Sequence, residues 1–319
     1  MNDTPVRPHY PDITNPMRRA LQENRAKIGI WSQLNSTNAI EGLVWAGFDW
    51  LLIDCEHAPI ELNDVISHLR VLDASPTIPI VRLTLNNELL LKRHLDAGVR
   101  SFMLPFVQNA EEAKSAVDAM HYPPRGKRGM AGMHRANRYG AVPDYFAKAS
   151  ESLFLIVQIE TGEALDRLEE ILAVDGVDAV FFGPTDLSAS LGFPGQGGTE
   201  KFTKIVSAAL ERVRKTDKFA GTLALSPAQA NSFLEAGFDF VSVISDCALL
   251  FGNARQTAAR LPSALTSGDL SLLQRRRSFA STLSRQLPYR ACDYRPRLCH
   301  RASGSPTSVC HSISAALRR

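Results

Sequence analysis

The chain has 319 residues, 45% of them hydrophobic and 22% charged, with 20 Gly and 18 Pro. That balance excludes collagen-like, coiled-coil and wholly disordered chains, whose compositions are far more biased. The net charge of +3 conceals two unlike parts: residues 275–319 hold ten Arg, no Lys and one acid, a net +9, while the other 274 residues hold 26 bases and 32 acids, a net −6.

Residues 1–23 read as an arm, with no apolar core of a secretory signal in its first fifteen residues. Short apolar, β-branched runs follow at 27–34, 50–55, 78–83, 101–107, 153–160, 179–183, 219–225 and 240–244. Runs of this kind are expected where both faces of a parallel sheet are covered. Between them lie segments with apolar residues at i, i+3, i+4 spacing, such as 89–97, whose Leu90, Leu91, His94 and Leu95 share a face, and 164–172. Several of these segments end in glycine just before the next run, as in "AGFDW", "AGVRSF" and "AGFDFV", the pattern of a left-handed helix C-terminus. Eight strands and their helices fit the roughly 250 residues of a (β/α)8 barrel. A doubly wound open sheet is the alternative, but its GxGxxG fingerprint is missing after the first strand. The pattern predicts a TIM-barrel domain over 24–262.

Residues 263–319, rich in Ser, Arg and Pro, are expected to be a basic, disordered tail. Cys292, Cys299, His300, Cys310 and His311 in that tail lack the paired C-x2–4-C element of structural zinc sites. With Cys55 and Cys247 the cysteine count is odd and no C-x-x-C occurs. No disulfide framework and a cytoplasmic location are therefore expected. No run approaches the ~18–20 apolar residues of a membrane span, and the acidic body offers no nucleic-acid surface.

Polar residues cluster where the strands end. The second run closes on Asp54-Cys55-Glu56-His57, the third on Arg82, the fifth on Gln158-Ile159-Glu160, and the sixth leads into Gly183-Pro184-Thr185-Asp186-Leu187-Ser188. In a (β/α)8 barrel, catalytic groups come from the C-terminal ends of several strands. Glu160 and Asp186 offer two hard oxygen donors for a divalent cation, although a carboxylate at a helix start also serves as a cap. Asp54, three residues before His57, can orient an imidazole that acts as a base near neutral pH; an ordinary strand-end histidine is the alternative. Arg82 ends a buried strand, so it must face an anion, either substrate or a nearby carboxylate such as Asp54 or Glu56. The turn 183–188 opens a helix whose free N–H groups can hold a carboxylate.

Together, "GFDWLLIDCEHAP", "PIVRL", "YPPRGKRG", "VQIETGEAL" and "GVDAVFFGPTDLSASLG" resemble the HpcH/HpaI family of metal-dependent pyruvate aldolases, over about residues 24–261. The resemblance implies a TIM barrel of the phosphoenolpyruvate/pyruvate-domain type, assembled as a hexamer with its last helix exchanged between neighbours. It implies cleavage of a 4-hydroxy-2-oxo acid to pyruvate and an aldehyde through a metal-bound pyruvate enolate, with Mg2+, Mn2+ or Co2+ as cofactor. Glu160 and Asp186 match the metal ligands, Arg82 the arginine at the keto oxygen, and His57 with Asp54 the base dyad. Gln158 and Thr185 match pyruvate-site positions, Trp31 and Leu223 match pocket-lining positions, and Asp96 matches an acid that reaches a neighbouring subunit's site. The sequence departs from the family at Cys55, where glycine is common, and in its Arg/Ser tail.

A lysine Schiff base is the other route to an aldolase, and no candidate strand ends in lysine. Two other readings remain: an oxaloacetate decarboxylase, which passes through the same enolate, and a non-catalytic barrel whose tail binds an acidic partner. The basic stretch 125–138 is a candidate for the mouth of the pocket, attracting an acidic acceptor, or else a solvated loop.

Overall fold

A computed structural model describes residues 13–25 and 28–261. Among these residues eight parallel strands pair in sequence order and close from the last onto the first: β1 (Ile28–Ser32), β2 (Trp50–Asp54), β3 (Ile78–Arg82), β4 (Ser101–Leu104), β5 (Phe154–Ile159), β6 (Ala179–Phe182), β7 (Phe219–Ala224) and β8 (Phe240–Ser245). Before β1 comes α1 (Pro16–Gln22); α2 (Thr37–Val44), α3 (Leu62–Leu72), α4 (Glu88–Asp96) and α5 (Ala110–Met120) follow β1 to β4 in turn. After α6 (Tyr145–Lys148) and β5 come α7 (Gly162–Asp166) and α8 (Leu168–Leu172); α9 (Pro184–Ser190) and α10 (Glu200–Val213) follow β6. The last two are α11 (Pro227–Ala236) and α12 (Asp246–Arg260). The expected (β/α)8 barrel is the observed fold. The tail from residue 263, with its possible zinc cluster, lies outside the described residues.

The strands stand where the apolar runs place them. The largest difference is at β4, which stops at Leu104: Pro105 has no N–H for the ladder, and Phe106 turns to φ 50°. The single helix expected over 164–172 is broken at Arg167 (φ −96°, ψ 18°) into α7 and α8.

A period of two sorts each run into two cores. Leu51, Ile53, Leu155, Val157, Val180 and Phe182 point outward and pack beneath the helices, while Trp50, Leu52, Phe154, Ile156, Ala179 and Phe181 fill the barrel interior. Two "GFD" segments fix the strand starts by a shared device. Gly47 and Gly237 take left-handed φ of 89° and 93°, which only glycine adopts freely. The following Asp49 and Asp239 carboxylates then accept an N–H at the start of the neighbouring strand, from Ile28, the first residue of β1, and Ala220, the second of β7, each at 2.8 Å.

The N-terminal mouth of the barrel is closed by α1. Asn15 caps it, accepting from the N–H of Met17 at 2.8 Å and of Arg18 at 3.1 Å, while its amide donates to the Ser152 carbonyl at 2.9 Å. Met17, Ala20 and Leu21 then join the interior core. Polar chemistry is thereby left to the opposite, C-terminal face. Met17 is wholly buried, so Met17→Ala is expected to cost about 2–5 kcal/mol of stability. Urea unfolding measures this, and an unchanged midpoint would show that α1 is not part of the core.

Candidate active site

At the C-terminal ends of the strands the inward-facing series turns polar: 50, 52, then Asp54; 78, 80, then Arg82; 154, 156, then Gln158 and Glu160. Asp54 and Arg82 are register partners across β2 and β3. Their side chains form a bidentate pair, with Arg82 Nε donating to Asp54 Oδ1 at 2.9 Å and Nη2 to Oδ2 at 2.8 Å. Both residues are buried, Asp54 at 0% and Arg82 at 4% exposure. Asp54 also accepts from Gln33 Nε2 at 2.9 Å and from the N–H groups of Glu56 (3.1 Å) and His57 (3.3 Å). Burial pushes this carboxyl up, but the Arg82 guanidinium and these donors together hold it below its ordinary value. On its other side Arg82 Nη1 lies 2.9 Å from Glu56 Oε2, outside hydrogen-bonding alignment, and its guanidinium stacks 4.3 Å from the Trp31 ring centre. Arg82 thus faces the nearby carboxylates, the second of the two partners its burial demanded.

His57 departs from the expected dyad. Asp54 reaches only the His57 backbone N–H; the side chain of His57 is 60% exposed, with Nε2 3.9 Å from Glu56 Oε2. The physical reason is that Asp54 ends a strand facing inward and its lone pairs are occupied by Arg82 and Gln33, whereas His57 belongs to the loop that follows.

Glu160 is buried, at 2% exposure. Its Oε1 accepts from Gln158 Nε2 at 2.6 Å and its Oε2 from the Phe106 N–H at 3.3 Å. Burial raises this carboxyl to about 7; Arg82 and the Phe106 N–H oppose the rise, and Glu56 and Asp186 add to it. Gly183 packs against it so closely that a Cβ would sit 2.4 Å from Oε1. Asp186 stands in the first turn of α9, but the N-cap is Gly183 and no side chain caps the helix. Among the described residues the Asp186 side chain makes no hydrogen bond or ion pair. A buried carboxyl whose charged form burial disfavours, an uncommitted second carboxylate and a glycine whose missing side chain leaves Glu160 Oε1 room fit a hard divalent cation. Among the described residues no cluster of three or more His, Cys, Asp or Glu side chains could hold a metal by itself, so water or substrate must complete the shell.

Trp31, His57, Arg82, Gln158, Glu160, Thr185, Asp186 and Leu223 line one cavity of about 560 Å3 at this face. Asp54 lies behind Arg82 and does not line it. Asp96 stands elsewhere, at the C-terminal end of α4, where it accepts from Arg128 Nη2 at 2.7 Å. The stretch 125–138 does not form the mouth of this cavity in its own chain. It leaves the far end of α5 and spends its charges on Asp175, Glu88, Asp96 and Asp73 along the outer helices.

Sequence reasoning missed Gln33 and Asp246. Gln33 continues the inward series of β1 after Gly29 and Trp31, a signal that parity alone carries. Asp246 accepts from the Gln33 N–H at 2.8 Å, the Leu34 N–H at 3.2 Å and Ser32 Oγ at 3.2 Å, tying the start of α12 to the end of β1. Its partners lie more than two hundred residues away, and no local pattern announces them.

The raised pKa of Glu160 fixes a pH dependence. The folded chain holds this proton more tightly than the unfolded one, whose carboxyl titrates near 4.5. The ionised group therefore costs stability, a cost absent below that value, growing toward pH 7 and constant above it. In chelator-treated protein, Glu160→Gln is expected to raise Tm near pH 8, with a ceiling of about 3 kcal/mol set by the gap in acidity. The gain should shrink toward pH 5. A difference in Tm that ignores pH would contradict this.

The sequence profile of the HpcH/HpaI aldolase/citrate lyase family matches residues 27–252. The chain is 42% identical over 241 residues to the 2-dehydro-3,6-dideoxy-6-sulfogluconate aldolase of Pseudomonas putida, covering 76% of this chain and 94% of that protein. It is 41% identical over 256 residues to the 4-hydroxy-2-oxo-heptane-1,7-dioate aldolase of Escherichia coli, covering 80% of this chain and 98% of that protein. A solved HpcH/HpaI aldolase/citrate lyase family protein from Burkholderia cenocepacia J2315 superimposes with a TM-score of 0.73 at 36% identity, over 77% of this chain and 98% of that one. The matched span takes in every strand of the barrel, and the chain belongs to the HpcH/HpaI aldolase/citrate lyase family.

Proposed function

We propose that this protein is a metal-dependent aldolase that cleaves a 4-hydroxy-2-oxo acid to pyruvate and an aldehyde, and runs the reverse addition. The observation that carries the reading is the meeting of one buried guanidinium, Arg82, with the Glu160 and Asp186 carboxylates around a single cavity. Relatives at 41–42% identity bear aldolase names.

Glu160 and Asp186 would hold the cation, whose identity (Mg2+, Mn2+ or Co2+) the oxygen donors leave open. When bound, it supplies Lewis-acid polarisation of the 2-oxo acid. Gln158 fixes the Glu160 carboxylate through its amide. Thr185, at the start of α9, offers a backbone N–H to the substrate carboxylate. His57, at the open edge of the cavity, takes the C4 hydroxyl proton directly or through one water. The C3–C4 bond then breaks, its electron pair passes into the enolate of pyruvate, and the aldehyde leaves. Arg82, held rigid by Asp54, presents its remaining N–H donors to the negative charge growing on the enolate oxygen. Trp31, Leu223 and Phe181 keep that face apolar, and protonation at C3 completes pyruvate. Oxaloacetate decarboxylation would use the same enolate but no hydroxyl base, and an imidazole at the edge of the cavity favours aldol cleavage.

A homo-oligomer, a hexamer by resemblance, suits α12. Asp246 is its only buried residue, while Leu250 and Phe251 are 52% and 49% exposed. Laying this helix on a neighbouring copy would cover them, and Asp96, outside its own chain's cavity, would serve a neighbour's. No helix among the described residues is long and apolar enough to cross a membrane, and the free thiols of Cys55 and Cys247 suit the cytoplasm.

The test is pyruvate release from a 4-hydroxy-2-oxo acid. Excess chelator should abolish it, and Mg2+, Mn2+ or Co2+ should restore it. Full activity in chelator would end the metal-dependent reading.

A further inference from the structure

Strand β8 takes one extra residue where it runs beside β1. Gly29 pairs with Ser242, but Trp31 pairs with Ser245, so two residues of β8 stand opposite Ile30 alone. One of the two, Ile244, takes φ 62°, a conformation that a β-branched residue adopts only where its surroundings impose it. A bulge of this kind bends its strand and re-aims the side chains that follow. The next two residues open α12. Ser245 Oγ caps the helix, accepting from the Ala248 N–H at 3.2 Å, and Asp246 is the helix's one buried residue.

The Asp246 carboxylate is turned onto the end of β1. Its Oδ1 accepts from the N–H groups of Gln33 at 2.8 Å and Cys247 at 2.7 Å, and its Oδ2 from the Leu34 N–H and Ser32 Oγ, each at 3.2 Å. Three of these four donors belong to the consecutive residues 32–34, so one carboxylate holds the turn that follows β1. From that turn Gln33 sends its side chain to Asp54, with Nε2 donating to Oδ2 at 2.9 Å. A carboxylate accepts only from the nitrogen side of an amide, which sets the orientation of the Gln33 head group. The same Asp54 oxygen receives Arg82 Nη2 at 2.8 Å. The contacts therefore run without a gap from the first turn of α12 through Gln33 and Asp54 to Arg82, and every one of them lies within a single chain.

We propose that Gln33 and Asp246 are positioning residues for the enolate step: Asp246 fixes the turn after β1, and Gln33 carries that placement through Asp54 to Arg82. The proposal rests on the aldolase reading, and the test separates the two. Exchange of the pyruvate methyl protons with deuterated water is measured over a range of pyruvate concentrations for the full-length, metal-loaded enzyme, with Tm recorded for every variant. Gln33→Leu and Asp246→Asn are each expected to lower kcat for exchange by about 10–10²-fold, the scale of a misplaced group, with KM unchanged within about twofold. In an Arg82→Ala background neither should lower exchange further, because the group they aim is gone. Two variants keep the test open if Asp246→Asn does not fold. Gln33→Leu leaves the Asp246 carboxylate with its backbone partners, and Ser32→Ala takes one donor from that carboxylate, for which a smaller loss confined to kcat is expected. A folded Gln33→Leu or Asp246→Asn with the wild-type kcat would overturn the proposal. So would a rise in KM alone, which would make Gln33 a substrate contact, or an equal further loss in the Arg82→Ala background, which would place the effect elsewhere. Absence of exchange in the wild type would overturn the aldolase reading itself, and this proposal with it.

Discussion

The site depends on one buried ion pair. Arg82 and Asp54 face each other across β2 and β3 in a bidentate contact, and neither charge would survive at that depth without the other. A buried pair of this kind is a poor source of net stability, because desolvation offsets most of the attraction, but removing one partner costs about 3–5 kcal/mol. Its value lies in placement. Asp54 fixes two nitrogens of the guanidinium, Gln33 and two backbone N–H groups fix Asp54, and Trp31 lies against the guanidinium face. Arg82 is thereby aimed before any substrate arrives, which is the condition for stabilising charge that exists only in a transition state.

The carboxylates around that pair set the second constraint. Glu56 and Glu160 are both pushed up by burial, partly relieved by Arg82, and pushed further by Asp186. One guanidinium cannot compensate them all, so the arrangement favours an added cation.

Much of this was legible in the sequence because barrel strands obey a strict parity. Once a run is read as a strand buried on both faces, every second residue points inward, and Asp54, Arg82, Gln158 and Glu160 fall on the inward set where the apolar residues stop. Parity also contained Gln33, but a lone glutamine after a short strand carries no chemical signature until its partner is known. The Asp54–His57 spacing misled for a related reason. Three residues apart places two side chains together on a helix, but not where a strand ends and a loop begins. The break at Arg167 and the outer course of 125–138 depend on helix packing and on ion pairs between distant segments, such as Arg135 with Asp73 and Lys127 with Glu88. Composition registers such charges without locating their partners.

The central claim is that Arg82 stabilises a pyruvate enolate at this face of the barrel. Metal-dependent exchange of the pyruvate methyl protons with deuterated water, compared between the wild-type chain and Arg82→Ala at matched metal saturation and with Tm recorded for both, isolates that step from any aldehyde. The account predicts exchange in the wild type and a loss of about 10²–10³-fold in the variant, by analogy with removing one oxyanion donor. A folded, metal-loaded Arg82→Ala that exchanges at the wild-type rate would contradict it.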